Sequence, residues 1–159
     1  MEKEFHDDHV FGFQLLLDFY GCTPKVCDDL ELCYDFLDKV VDDLGMKKQA
    51  PPEVFKSDAE LYPDKAGLSG WVPLIDSSVV IHTLSKKGFI TIDVYSCRYF
   101  DPQKAERFCE KFFHPKRTEH QFVERGLDFY KIDTRHNTLT VHKGQVKTSL
   151  KKAEKVDVQ

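Results

Sequence analysis

The sequence predicts an α+β fold: a two-layer sandwich in which an antiparallel sheet carries two helices on one face. Three observations lead there. Strand-like runs outnumber helical ones. Each of the two helical runs has a single apolar stripe, so each covers a sheet on one side only. Short turns join neighbouring strand runs, which favours hairpins over crossovers. The predicted order is β-α-β-β-β-α-β, followed by a C-terminal hairpin.

The first strand is "VFGFQLLLDFY", Val10 to Tyr20, rich in apolar and aromatic residues and closed by Gly21; it reads as buried on both faces. A helix follows in "TPKVCDDLELCYDFLDKVVDDLG", where Val26, Leu30, Cys33, Leu37, Val40 and Leu44 recur at steps of three and four. Asp28 and Asp29 suit its first turn, and Gly45 its end. Residues 47–67 hold three prolines and many charges and read as a loop, with a short strand near Val54 and Phe55. "LSGWVPLIDSSVVIHT", Leu68 to Thr83, and "GFITIDVYSC" read as strands joined by the turn "SKKG". In "DPQKAERFCEKFF", Asp101 is an N-cap, Pro102 the first helical residue, and Ala105, Phe108, Cys109 and Phe112 the apolar stripe. "EHQFVERG" and "LDFYKID" read as further strands, with "NTLTVHKG" able to pair with the latter. Residues 1–143 are expected to form one domain and 144–159 a disordered tail with little apolar content.

The 159 residues suit one domain with its own core, and 41% hydrophobic content is that of an ordinary globular chain. A net charge of −4 argues against nucleic acid as the main partner. No apolar run is long enough to span a membrane. The opening "MEKEFHDDHV" is acidic and polar, unlike a secretory signal, and the cysteine count of 5 is odd. A reducing, cytoplasmic setting with free thiols is therefore expected.

One feature of the strand pattern is unusual. Asp76, Ser77 and Ser78 interrupt what otherwise reads as a buried strand. Asp and Ser favour turns, so a turn or bulge is the plain explanation. If Leu84 faces Phe89 across "SKKG", then Ser77 faces Ser96 and Cys97 faces Asp76. A turn one residue different would place Cys97 opposite Ser77. Either way a thiol lies across from the Asp76–Ser77 peptide bond. His82 alone reads as a core histidine, and five residues of extended strand place it roughly 17 Å from Ser77 unless the chain bends. "HDDH", His6 to His9, has metal-type side chains at a terminus without a third anchor, so no metal site is expected. No phosphate-binding loop, dinucleotide fingerprint or nucleophile elbow is present.

From about Phe11 to Gly126 the sequence resembles the S-adenosylmethionine decarboxylases of the small bacterial and archaeal type. "FGFQLLLDFYGC" resembles the family's first strand, "LSGWVPLIDSSVVIHT" its processing segment and "GFITIDVYSC" the strand that ends in a functional cysteine. "DPQKAERFCEKFF" and "VERG" resemble its second helix and last strand. The joint spacing carries the resemblance: Ser69 eight residues before Ser77, His82 five after it, Cys97 twenty after it.

The resemblance implies a chain that makes its own cofactor. Ser77 would attack the Asp76 carbonyl, the chain would be cut between Asp76 and Ser77, and the serine remnant would become a pyruvoyl group. Ser69 and His82 would assist processing, His82 as base, and Cys97 would return a proton during turnover. The pyruvoyl carbonyl would form a Schiff base with the α-amine of a small amino-acid-type substrate and act as an electron sink for loss of CO2. The implied activity is decarboxylation of S-adenosylmethionine for spermidine synthesis, by a homodimer of processed protomers. Two other readings stay open: decarboxylation of arginine or ornithine, and an unprocessed homologue that regulates a partner subunit. The chain departs from the family at Asp76, where most members carry Glu, at Ser78, where small bacterial members usually carry His, and at Leu84-Ser85-Lys86, where they read Trp-Pro-Glu. That glutamate belongs to the family's substrate-binding region, and a lysine facing the site would disfavour a sulfonium cation.

Overall fold

A computed structural model describes residues 10–129, 139–143 and 146–150. His6 to His9 lie outside the described residues. The chain runs β1 (Gly12–Tyr20), α1 (Pro24–Cys27), α2 (Leu30–Asp43), β2 (Glu53–Lys56), β3 (Leu68–Leu74), β4 (Ser77–Leu84), β5 (Phe89–Ser96), α3 (Pro102–Phe113), β6 (Arg117–Arg125), β7 (Leu139–Lys143) and β8 (Val146–Leu150). The first six strands form one sheet in the order β2-β3-β4-β5-β1-β6, with every neighbouring pair antiparallel. The expected α+β class and the layer of helices on one face are both present.

The core lies between that sheet and α2 and α3. β1 presents Phe13, Leu15, Leu17 and Phe19 to it, β4 presents Val79 and Ile81, and β5 presents Ile90, Ile92 and Val94. Phe36 of α2 meets Phe112 and Phe113 of α3 with ring centroids 5.6 and 4.9 Å apart. Each fully buried side chain of this size contributes about 1.5–3 kcal/mol through the hydrophobic effect. β1 is not buried on both faces as expected: Gln14, Leu16, Asp18 and Tyr20 point away from the helices and stay partly exposed.

The single expected first helix is two. Thr23 caps the short α1 at Val26 N–H, and the Asp29 carboxylate accepts from Leu32 N–H at 3.0 Å to start α2 afresh. Leu30 therefore sits in the first turn of α2 and is 44% exposed, while the buried stripe is Cys33, Phe36, Leu37, Val40 and Val41. Asp101 and Pro102 start α3 as expected, with Asp101 Oδ1 accepting from the N–H groups of Gln103 and Lys104.

The run Leu68 to Thr83 is also two elements, β3 and β4, joined by a tight turn at Ile75 and Asp76. The buried positions reveal it. They are even-numbered before the turn (Leu68, Val72, Leu74) and odd-numbered after it (Val79, Ile81, Thr83). A two-residue loop requires that change of phase, because its closing pair, Leu74 and Ser77, must face the same way. The "SKKG" turn is as expected. Leu84 faces Phe89, and Gly88 takes φ 59°, where a Cβ would meet the Cys22 carbonyl oxygen at 2.5 Å.

At the C-terminal end the structure departs from the sequence reading. Leu127 to Phe129 form a turn rather than a strand, closed by Phe129 N–H on Gly126 O at 2.9 Å, and residues 130–133 of the expected strand lie outside the described residues. β7 pairs with β8, Lys143 opposite Val146, so among the described residues the segment that follows β7 is its hairpin partner.

Candidate active site

Ser77 opens β4, directly after the turn residue Asp76. Asp76 adopts φ 57°, a left-handed conformation that few non-glycine residues take and that Asp tolerates better than Glu. The Asp76–Ser77 peptide bond thus lies in a strained turn at the end of the sheet. β4 and β5 pair in the expected register, Ser78 opposite Tyr95 and Leu84 opposite Phe89, which carries Ser96 and Cys97 to the same end. Ser77 Oγ accepts a hydrogen bond from the Cys97 backbone N–H at 3.4 Å. Oγ is thereby held next to the chain segment that bears the thiol.

Cys97 differs from the other four thiols. Cys22, Cys27, Cys33 and Cys109 are buried, and all five are free. Burial pushes Cys33 up to about 12 and raises Cys109 as well. A hydrogen bond between Cys22 and Cys27 lowers the former and raises the latter. Cys97 alone is partly exposed, at the sheet end beside Ser77.

Ser69 and His82 form a second pair. They face each other across β3 and β4, and Ser69 Oγ lies 3.0 Å from His82 Nδ1. His82 is exposed, not the core histidine that its place in an apolar run suggests; the side chains before and after it, Ile81 and Thr83, turn inward instead. Thr83 explains its own burial: its Oγ1 accepts from Leu68 N–H at 2.8 Å and donates to Cys27 O at 2.5 Å. The geometry of β4 keeps the two pairs apart. Ser77 to His82 is five residues of unbent strand, roughly 17 Å. Ser77 also pairs with the buried Leu74, whereas Ser69 and His82 lie on the open face.

That open face is a regular grid. The row through His82 runs Phe55, Ser69, His82, Thr91, Asp18, Glu119 across six strands, and the next runs Glu53, Trp71, Val80, Asp93, Leu16, Gln121. A cavity of about 280 Å³ opens on it, lined in part by Leu16, Asp18, Thr91, Asp93 and Glu119. Trp71, 43% exposed, donates its indole N–H to Glu53 at 3.0 Å. Next to the Ser78–Tyr95 pair, Gln14 donates to Asp93 and accepts from Arg125. Apart from Ser69 and His82, none of these side chains was singled out as a site residue from the sequence. The strand alternation carries the signal, since Gln14, Asp18 and Tyr20 of β1 and Thr91, Asp93 and Tyr95 of β5 fall on one face.

A family model described as S-adenosylmethionine decarboxylase matches residues 13–126. The chain belongs to the S-adenosylmethionine decarboxylase family. Among curated relatives, the S-adenosylmethionine decarboxylase proenzyme of Aquifex aeolicus is 31% identical over 121 residues, covering 74% of this chain and 83% of that protein. The proenzyme of Clostridium botulinum strain Hall is 28% identical over 116 residues, covering 72% of this chain and 94% of that protein. The crystal structure of the adenosylmethionine decarboxylase from Aquifex aeolicus aligns with a TM-score of 0.61 at 29% identity, over 74% of this chain and 92% of that one. The family match ends where β6 ends, so β7 and β8 lie beyond it.

Proposed function

We propose that this chain is a self-processing, pyruvoyl-dependent decarboxylase of S-adenosylmethionine, supplying the aminopropyl donor for spermidine synthesis. The observation that carries this reading is the placement of Asp76–Ser77 in a left-handed turn, with Ser77 Oγ tied to the backbone of Cys97. The residues present fit the formation of a pyruvoyl group. Ser77 Oγ adds to the Asp76 carbonyl carbon, the C–N bond breaks, and the hydroxyl proton ends on the Ser77 amine, leaving an ester. Removal of the Ser77 Cα proton then breaks the Cβ–Oγ bond and frees Asp76 as a carboxylate. The dehydroalanine left behind tautomerises to an imine as a proton moves from its nitrogen to Cβ, water hydrolyses that imine, ammonia departs, and the second fragment begins with the pyruvoyl group. The chemistry supplied by that group is a carbonyl sink for the electrons left by CO2. The Cys97 backbone bond to Ser77 supports a role for its thiol as the donor that returns a proton to the substrate carbon that loses CO2.

The Ser69–His82 pair, the processing pair by family resemblance, cannot reach Ser77 of its own chain along a straight β4. We therefore propose a homodimer in which the open sheet face of one protomer brings Ser69 and His82 to the cleavage turn of the other. The small-molecule substrate would bind in the same cleft. Lys86 sits exposed in the turn at the opposite end of β4 from Ser77, which keeps its charge in solvent and removes its objection to a sulfonium substrate. Five free thiols accord with a reducing, cytoplasmic setting.

Intact-mass measurement of the purified protein tests the reading. Two fragments are expected, one ending at Asp76 and one starting with a pyruvoyl group in place of Ser77, and Ser77→Ala should leave one chain. A wild-type chain that stays whole after long incubation overturns it in favour of a regulatory homologue. Release of CO2 from arginine or ornithine, and none from S-adenosylmethionine, would replace the substrate and keep the processing chemistry.

A further inference from the structure

The scissile turn is held by a second piece of chain, Lys47 to Gln49. β3 is flanked by β4 on one side and by β2 on the other, but β2 reaches only as far as Trp71. Beyond it, Lys48 bridges Leu74 in antiparallel fashion. Gln49 N–H donates to Pro73 O at 2.9 Å, and Ile75 N–H donates to Lys47 O at 3.2 Å. Ile75 is the residue before Asp76, so this last bond ends one residue short of the bond to be cut.

The brace is itself anchored. Gly45, at φ 65°, ends α2, with Gly45 N–H on Asp42 O and Met46 N–H on Val41 O, at 3.0 and 2.9 Å. Lys48 then reaches back to α2, where its Nζ donates both to Asp38 Oδ1 and to the Asp38 carbonyl at 3.4 Å. Asp38 near the end of α2 therefore holds the Lys48 side chain, and the residues covalently bonded to Lys48 on either side, Lys47 and Gln49, make the backbone hydrogen bonds to Ile75 and Pro73. The exposed Ile75 side chain anchors nothing, and Asp76 alone pays the left-handed strain. A two-residue turn carrying that strain relaxes unless its neighbours fix it.

We infer that Lys48, through its ion pair with Asp38, is a positioning residue for self-cleavage: it locks the Lys47–Gln49 brace that keeps Asp76 left-handed and its carbonyl within reach of Ser77 Oγ. The inference rests on the cleavage reading above. It also implies a division of labour. Once the chain ends at Asp76 there is no turn to hold, so the brace matters for processing and not for turnover.

The test follows cleavage of freshly made full-length protein by intact mass, and turnover of S-adenosylmethionine per cleaved chain. Lys48→Met and Asp38→Asn should each slow cleavage about two- to fivefold, the range for one partly exposed ion pair. The double variant should be no slower than either single one. Lys48→Arg should restore the rate, and Gln49→Pro, which deletes the donor to Pro73, should slow it at least tenfold. Turnover per cleaved chain should be unchanged throughout. Cleavage of Lys48→Met at the wild-type rate overturns the inference. So does a slow rate that tracks a lowered melting temperature and resists rescue by arginine. A parent chain that never cleaves is a different result, failing the proposed function before any variant is made.

Discussion

Ser69 Oγ and His82 Nδ1 lie 3.0 Å apart on the open face of the sheet, five strand residues away from the serine they would help to process. On the homodimer reading proposed above, this pair acts on Ser77 of the other protomer. Chains carrying Ser77→Ala and chains carrying His82→Ala should each stay uncut alone. Coexpressed, the His82→Ala chain keeps Ser77 and borrows His82 from its partner, so it should be cut while the Ser77→Ala chain stays whole. Distinct tags and mass spectrometry separate the two. Mixed dimers that form without any cleavage would place processing within one chain.

Cys97 is expected to act in turnover more than in processing. Its contact with Ser77 is through the backbone N–H, which any side chain at 97 retains. Cys97→Ala should therefore still yield cleaved protein but release CO2 at least a hundredfold more slowly, the size of a typical general acid contribution. A variant that cleaves and turns over like the wild type would make Cys97 a packing residue.

Most of the sheet and the family were readable from the sequence. The alternation in "GFITIDVYSC" and the short "SKKG" turn suggested Leu84 opposite Phe89, and the register has that pair, with Ser78 opposite Tyr95 at the other end. Three things were not readable. An apolar run such as Leu68 to Thr83 looks continuous until one notices that the buried phase shifts across Ile75 and Asp76, and only a hairpin makes that shift. The brace from Lys47 to Gln49 is a backbone arrangement between distant segments, and Lys-Lys-Gln carries no side-chain pattern that would mark it. The helix break at Asp29 was missed for a related reason: Val26 and Leu30 keep helical spacing even though a capping carboxylate separates them.

The thiols should separate cleanly by reactivity. At pH 8 iodoacetamide should modify Cys97 first, since the other four are buried. Peptide mapping before and after urea reads this directly. Cys33 adds a pH dependence with a definite sign. Its thiol is raised by burial from 9.0 to about 12, so its contribution is complete below pH 9 and is lost as pH rises through that window. Urea melts should show Cys33→Ala losing less stability than wild type between pH 9 and 11, by on the order of 1.4 kcal/mol per pH unit. Equal losses would mean that Cys33 ionises as easily folded as unfolded.

Thr83 ties the start of β3 to the end of α1, and its replacement tests how the open-face pair is held. The hydroxyl accepts from Leu68 N–H and donates to Cys27 O, with Thr83 itself 3% exposed. Thr83→Val keeps the shape and deletes both bonds, leaving a buried donor and a buried acceptor unpaired. Each such group costs about 1–3 kcal/mol, so a loss of about 2–6 kcal/mol is expected in denaturant melts. Leu68 and Thr83 flank Ser69 and His82 on the inner side of the same two strands, so the loss should also loosen that pair. Cleavage should slow by more than stability alone explains when variant and parent are compared well below their melting temperatures. A fully stable Thr83→Val protein with normal cleavage would show that the two strand ends are fixed by packing alone.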